Sequence, residues 1–264
     1  MNQSMPLLRS LLFVPVVEPR FLAKAHLRGA DAVILDLEDS IAPARKDEAR
    51  KLVKAAAVGL GGHGVRVFVR INSEPELAVQ DIAASVCAAV SGLLIPKVET
   101  RQQLDERAEH IARAQERAGL PAGHTSLAAL LESPRAIFNA LSIAESNPRL
   151  VALAFGVEDF ATAMEVPPEP ASLSHAAQVV AMAARAAGLQ ALGLPGSIAG
   201  FADLQELKQL ALLARRMGYT GSVCIHPDQV GVFNDAFGVT ENDAAGAEEI
   251  IRLFEKSLSE GLGA

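Results

Sequence analysis

Ionisable residues stand at the ends of successive short apolar runs of this chain: Asp36-Leu37-Glu38-Asp39, Arg70-Ile71-Asn72, Pro96-Lys97-Val98-Glu99, Glu132 and Glu158-Asp159. Grouped carboxylates repel one another and lose hydration, so such a set is costly unless something compensates it. A bound cation would do so. Glu132 and Asp159 are hard oxygen donors, and Mg²⁺ takes one or two protein carboxylates while keeping places for water and substrate oxygens. These two are the expected metal ligands, for Mg²⁺ or for Mn²⁺, which accepts the same donors. The competing expectation is that they pair with Arg70 or Lys97, or cap the helices that follow.

Arg70 carries a planar fork suited to a substrate carboxylate, beside the acidic segment 36–39. A salt bridge to Asp36 or Asp39 is its structural alternative. Strand alternation sends Asp36 and Glu38 to one face and Leu37 and Asp39 to the other, although a strand end can break that rule. Glu38 and Asp39 both remain candidates for the acid or base. Lys97 can be an electrostatic partner of substrate and carboxylates or a nucleophile of lowered pKa, and the surrounding acids favour the charged partner. Asp36 is expected to line the substrate site with Lys97, Glu132 and Arg70.

Residues so far apart converge only if parallel strands deliver them to one place. Eight strand-like runs are present, at residues 10–16, 32–39, 66–72, 92–98, 126–133, 150–157, 190–196 and 221–227. Most are continuously apolar, as strands covered on both faces are. Between them the period becomes helical: Ala49, Leu52, Val53, Ala56 and Ala57 share a face, as do Leu104, Ala108, Ile111 and Ala112. Thr100 with Gln103 predicts a capping box, and Ser133-Pro134 predicts an N-cap followed by proline. Ala247, Ile250, Ile251 and Phe254 predict the eighth helix.

Eight βα units predict a single-domain α/β protein, a (β/α)₈ TIM barrel, whose strand ends face one mouth. A doubly wound sheet is disfavoured because no Gly-x-Gly-x-x-Gly follows the first strand. The domain is expected to occupy residues 1–264, with a short N-terminal extension at 1–8 and a tail at 257–264.

The net charge of −7, one Tyr, no Trp and no basic run leave little for nucleic acid to bind. The apolar run 11–17 is interrupted by Pro15 and is too short to cross a membrane. Cys87 and Cys224 lack metal spacing and predict inert buried thiols in a reducing, cytoplasmic setting. The loops after the last two runs, 193–197 with Gly-Leu-Pro-Gly-Ser and His226-Pro227, are the places where barrel enzymes often hold phosphate, although a Gly-Pro cluster is first a turn. His226 is either a mouth residue or a hydrogen-bonded structural group.

With these segments assembled, the chain resembles the citrate lyase β-subunit-like branch of the HpcH/HpaI aldolase family. The likeness rests on residues 9–15, 29–39, 70–72, 96–99, 131–136, 155–159 and 225–227, in order. The resemblance implies that Glu132 and Asp159 bind Mg²⁺, that Arg70 and Glu132 contact substrate, and that residues 36–39 line the site. It implies a lyase that cleaves or forms a 3-hydroxyacyl-CoA, such as malyl-, citramalyl- or citryl-CoA, from an oxo-acid and an acyl-CoA. A homotrimer or larger homo-oligomer is implied with it. Two features depart from the pattern: Leu192-Gly193-Leu194 stands where many relatives carry an acid, and the chain lacks the longer C-terminal segment of malyl-CoA lyases. Alternatives are a pyruvate aldolase without CoA, a citrate lyase subunit acting on an acyl-carrier-protein thioester, and a barrel that has lost catalysis.

Overall fold

The computed structural model describes residues 6–200 and 203–259. Parallel strands β1 (Ser10–Pro15), β2 (Ala32–Asp36), β3 (Val67–Arg70), β4 (Gly92–Ile95), β5 (Ser126–Leu131), β6 (Leu150–Phe155), β7 (Gln190–Leu192) and β8 (Ser222–Cys224) form one sheet. Its order is β7-β6-β5-β4-β3-β2-β1-β8. Closure between β7 and β8 comes from a parallel bridge of Leu192 with Gly221 and from Gly193 N–H donating to the Gly221 carbonyl at 2.9 Å. The expected (β/α)₈ barrel is therefore present, each strand lying inside one of the eight apolar runs.

Helices α1 (Pro19–Ala25), α2 (Lys46–Gly61), α3 (Pro75–Ser85) and α4 (Arg101–Arg117) follow the first four strands. Two short helices, α5 (Pro134–Phe138) and α6 (Ala140–Ala144), follow β5, while α7 (Val157–Met164) and α8 (Pro170–Ala186) follow β6. Helices α9 (Leu204–Met217) and α10 (Asp228–Phe237) complete the ring, and α11 (Glu241–Ser259) comes after it. The predicted caps are present: Thr100 and Gln103 form a reciprocal capping box on α4, and Ser133 accepts from Ala136 N–H at the start of α5.

Alternation sorts the strand residues into two cores. Leu11, Ile34, Phe68, Leu94, Leu130 and Ala154 fill the barrel interior with Leu8. Val33, Leu35, Val69, Leu93, Ala129 and Leu153 instead pack outward under the helices. Leu8, expected in an extension, is thus part of the interior, and its N–H donates to the Gln190 side chain at 2.9 Å. Residues 1–5 and 260–264 of the expected extension and tail lie outside the described residues.

One helix assignment is corrected. The helix that returns after β8 is α10, whose Val230, Phe233, Ala236 and Phe237 are buried, rather than the segment around residues 247–254. The latter belongs to α11, where Ile250, Ile251, Leu253, Phe254 and Leu258 are exposed. Both segments have helical period, which does not say what the apolar face packs against. The predicted tail also begins as helix, since α11 runs to Ser259. Cys87 and Cys224 are buried free thiols, as expected. Among the described residues no helix is long and apolar enough to cross a membrane.

Candidate active site

The β2–β3 register sets Asp36 directly beside Arg70, both on the interior parity at the mouth. Arg70 donates from Nε and Nη2 to the two Asp36 oxygens, each at 2.7 Å. Its third nitrogen, Nη1, lies 2.8 Å from Asp39 and 3.2 Å from Glu38. The guanidinium also sits over the Phe13 ring, 4.6 Å from its centroid. Burial pushes the Asp36 carboxyl up, but the Arg70 hydrogen bonds and charge outweigh it and hold the group below the ordinary range. Asp36 also accepts from the N–H groups of Glu38 and Ser40, which fixes the turn leaving β2. The structural alternative considered for Arg70 is therefore present, with Nη1 as the nitrogen that reaches the exposed Asp39.

Beyond Asp36 the chain leaves the sheet, so the acidic residues expected at the end of this strand lie on the loop. The Leu37–Glu38 backbone is pinned there: Lys46 Nζ donates to both carbonyls, at 2.8 and 2.6 Å. Asn72 Nδ2 reaches the Leu37 carbonyl at 2.9 Å while bonding to buried Asp81, which pairs with Arg50 at 2.7 Å. Lys46 escaped sequence reading because it lies on a helix surface by pattern. Asn72 was visible only as part of a motif.

This pinning holds Glu38 inward. Its two oxygens are buried without a hydrogen-bond partner, the Arg70 contact lacking hydrogen-bond alignment and Lys97 Nζ standing 3.6 Å away. Burial raises the Glu38 carboxyl to about 7 against the pull of Arg70. Asp39 is exposed and tied to Arg70.

On the opposite side, Glu132 follows β5 and accepts from Lys97 N–H at 2.9 Å. Lys97 holds a positive φ of 52°, rare for a residue with a side chain and a mark of local strain. Burial raises Glu132 to about 8, and the charges of Asp159 and Glu38 add to the rise against the Lys97 N–H. Lys97 Nζ lies 3.7 Å from Asp159. Its desolvation is overcome by Glu38, Asp39, Asp159 and Glu132, so its pKa is raised and the ammonium retained, as for an electrostatic partner. Asp159, expected at a strand end, sits in the first turn of α7, one turn past Phe155. Glu99 lines a neighbouring cavity with Lys97, Glu132 and Asp159, accepting from Ser133 Oγ at 2.5 Å and pairing with Arg135.

Five carboxyl groups, Asp36, Glu38, Asp39, Glu132 and Asp159, therefore converge on two cations, Arg70 and Lys97. Among the described residues no cluster of three or more His, Cys, Asp or Glu is arranged to hold a metal by itself. A two-carboxylate site completed by water and substrate is the arrangement that suits Mg²⁺. Glu132 and Asp159 fit that donor set, because both line the mouth and burial of Glu132 disfavours its anion until a positive partner arrives.

Gly156, also unrecognised as a site residue, makes room for Glu132. A Cβ there would stand 2.4 Å from Glu132 Cγ and 2.5 Å from Oε1. Gly156→Ala is expected to push the carboxylate aside and lower turnover by roughly 10²-fold, the scale of an ångström misplacement. Steady-state rates set against the thermal midpoint would separate this from unfolding. The mouth itself is a cavity of about 460 Å³, charged toward β2–β6 and apolar toward β7 and β8. His226 is not among its lining residues, and its Nδ1 accepts from Asp228 N–H at 3.3 Å.

A model of the family described as HpcH/HpaI aldolase/citrate lyase matches residues 9–227. The citrate lyase subunit beta of Leuconostoc mesenteroides subsp. cremoris is 32% identical over 258 residues, 97% of this chain and 85% of that protein. A (3S)-malyl-CoA thioesterase of Cereibacter sphaeroides (strain KD131) is 31% identical over 259 residues, 97% and 86% of the two chains. Among solved structures, protein CitE from Mycobacterium tuberculosis in complex with magnesium, acetoacetate and coenzyme A superposes with a TM-score of 0.72 at 26% identity, covering 95% of this chain and 88% of that one.

Proposed function

The chain belongs to the HpcH/HpaI aldolase/citrate lyase family of carbon–carbon lyases, and from that premise we propose that it uses Mg²⁺ to cleave, or in reverse to form, a 3-hydroxyacyl-CoA. The observation that carries this reading is the pair Glu132 and Asp159 at a mouth whose carboxylates outnumber its cations. The magnesium and coenzyme A of the M. tuberculosis structure support it. Glu132 and Asp159 would hold the Mg²⁺, which would supply Lewis-acid polarisation of the substrate's hydroxyl and carboxylate oxygens.

The chain's own residues supply the rest. Arg70 Nη1 exchanges Asp39 for the substrate carboxylate, while Asp36 keeps the other two nitrogens fixed. Lys97 balances charge between Glu38 and Asp159. Glu38, whose carboxyl lies near neutrality, takes the 3-hydroxyl proton. As C3 becomes a carbonyl the C2–C3 pair passes to the thioester as an enolate, which takes up at C2 the proton that Glu38 has received, leaving Glu38 ionised again. The products are an oxo-acid and a shorter acyl-CoA.

Of the two acid–base candidates, Glu38 is preferred because it is buried and lacks hydrogen bonds, whereas Asp39 is exposed and paired. A base must be ionised, so kcat/KM for cleavage is expected to rise with pH through a midpoint near the Glu38 value of about 7. Glu38→Gln should remove that limb and about 10²-fold of the rate, the lower end of a general base's contribution. Asp39→Asn should keep the limb, and a pH–rate profile of each variant checks both.

The relatives named citrate lyase subunit beta suit a second reading, in which the chain is one subunit of a larger enzyme; the thioester would then be held by an acyl-carrier protein. Mass spectrometry of the protein with Mg²⁺ and malyl-, citramalyl- and citryl-CoA, beside a carrier-bound citryl thioester and a pyruvate–aldehyde mixture, tests these readings together. Cleavage of a CoA thioester that EDTA abolishes is expected. Turnover of the carrier thioester alone would establish the second reading, and turnover only of pyruvate with an aldehyde would place the protein among the CoA-independent aldolases.

The exposed apolar residues of α11 support association with further copies of the chain. Sedimentation should give a mass above the 27.7 kDa of one chain, and Ile250→Asp with Phe254→Asp should reduce it.

A further inference from the structure

The two halves of the mouth carry different chemistry. On the side formed by β7 and β8, the cavity is lined by Leu194, Ile198, Val223 and Ile225. Leu194 is buried, Ile198 and Val223 partly so, and Ile225 is exposed. Among the described residues lining this wall, the one hydroxyl is that of Ser222, itself buried and directed at the Val223 carbonyl. No Lys, Arg or His is among the described lining residues there. Both mouth cations belong to the other half: Arg70 bonds to Asp36 and Asp39, and Lys97 lies between Glu38 and Asp159.

That division bears on what C3 of the substrate can carry. In a 3-hydroxyacyl thioester with a carboxylate at C3, the hydroxyl and that carboxylate go to the charged half. Of the two substituents left on C3, the C2 arm must lead out of the mouth to carry the bulky thioester, and the other then has the apolar wall opposite it. A hydrogen would leave the wall unfilled, and a short alkyl group would bury against it. A carboxymethyl group would place a second carboxylate where no cation or convergent donor meets it, and an unpaired charge loses its hydration without return.

The geometry points to a substrate whose C3 bears a short alkyl group, so that the product is an alkyl 2-oxo acid such as pyruvate or 2-oxobutyrate rather than oxaloacetate. This rests on the lyase reading above and narrows it, away from the carboxymethyl substrate that the name of the citrate lyase relatives implies. The Leu192-Gly193-Leu194 segment then acquires a role. Leu194 supplies wall, and Gly193, at φ 136° with its neighbouring carbon space closed by Phe155, leaves bare backbone at the bottom of it.

The test compares three thioesters differing only at C3, carrying hydrogen, methyl or carboxymethyl, with the intact protein and Mg²⁺. The methyl substrate is expected to exceed the hydrogen substrate by about 10-fold in kcat/KM, the value of one buried methyl, and the carboxymethyl substrate by roughly 10²-fold or more. Equal or better cleavage of the carboxymethyl substrate would overturn the inference while leaving the lyase reading intact. If none is cleaved, the lyase reading fails, and calorimetry with Mg²⁺ and the oxo-acids alone decides the pocket. Pyruvate or 2-oxobutyrate binding at least 10-fold more tightly than oxaloacetate supports the apolar site, and the reverse order overturns it. Ile198→Arg, on a partly exposed loop, should move the preference toward the carboxymethyl substrate by at least 10-fold, and an unmoved ratio would count against the wall as its determinant.

Discussion

Glu132→Gln is expected to abolish Mg²⁺-dependent turnover, by about 10³-fold or more, without lowering the stability of the barrel. The size follows from losing the several kcal/mol that a Lewis acid contributes to a developing charge, at about 1.4 kcal/mol per factor of ten. The stability side follows from the environment of Glu132, whose carboxyl is pushed up to about 8 by burial and by its acidic neighbours. An amide keeps the shape, still accepts from Lys97 N–H, and removes repulsion with Asp159 and Glu38. A site residue that strains the fold and is relieved by substitution is a common trade between activity and stability. Calorimetric Mg²⁺ titration alongside thermal unfolding gives both readouts. Retention of more than a tenth of the wild-type rate would remove Glu132 from the metal site.

Arg70→Met should damage the fold as well as the site. It leaves Asp36, 1% exposed, without its partner, and removing one member of a buried ion pair costs about 3–5 kcal/mol. For a chain of this size the thermal midpoint should fall by on the order of 10 °C. Asp36 has a lowered folded pKa, so the pair's contribution is present above the ordinary Asp value of about 3.9 and is lost as pH falls through the folded value. The gap in stability between wild type and variant should therefore close in acid. Asp36→Leu with Arg70→Met replaces both charges by apolar groups and should regain much of the stability. It should stay inactive, because the substrate's carboxylate loses its donor. Recovery of turnover in the double variant would show that Arg70 serves structure alone.

The barrel was legible because parallel strands covered on both faces are continuously apolar, and all eight runs contain a strand. Their ends were not, since apolar pattern continues into the mouth after the ladder has stopped. Thus Asp36 closes β2 while Glu38 and Asp39 already belong to the loop, and Asp159 lies on α7. Alternation had placed Glu38 on the side of Asp36, and the structure keeps it inward there. The pairing of Arg70 with Asp36 needed the β2–β3 register, and the closeness of Gly156 to Glu132 needed that of β5 and β6. Register is a relation between strands that no single run contains. Residue 13 shows the reverse case, since period two from Leu11 places Phe13 inside the barrel, where it supports the Arg70 guanidinium. Helical period at residues 247–254 pointed to α11 as the eighth helix in place of α10 because amphipathic period is silent about the partner of the apolar face.

The central claim is that the bond broken lies between two carbons and not between carbonyl and sulfur, a distinction sharpened by the (3S)-malyl-CoA thioesterase among the relatives. The most direct measurement follows citramalyl-CoA with Mg²⁺, quantifying pyruvate, acetyl-CoA and free thiol together in one time course. Pyruvate and acetyl-CoA appearing in equal amounts, with no free thiol and no reaction in EDTA, is the result expected of the site described. Release of free CoA with the hydroxy acid intact would contradict it and assign the carboxylate pair to thioester hydrolysis.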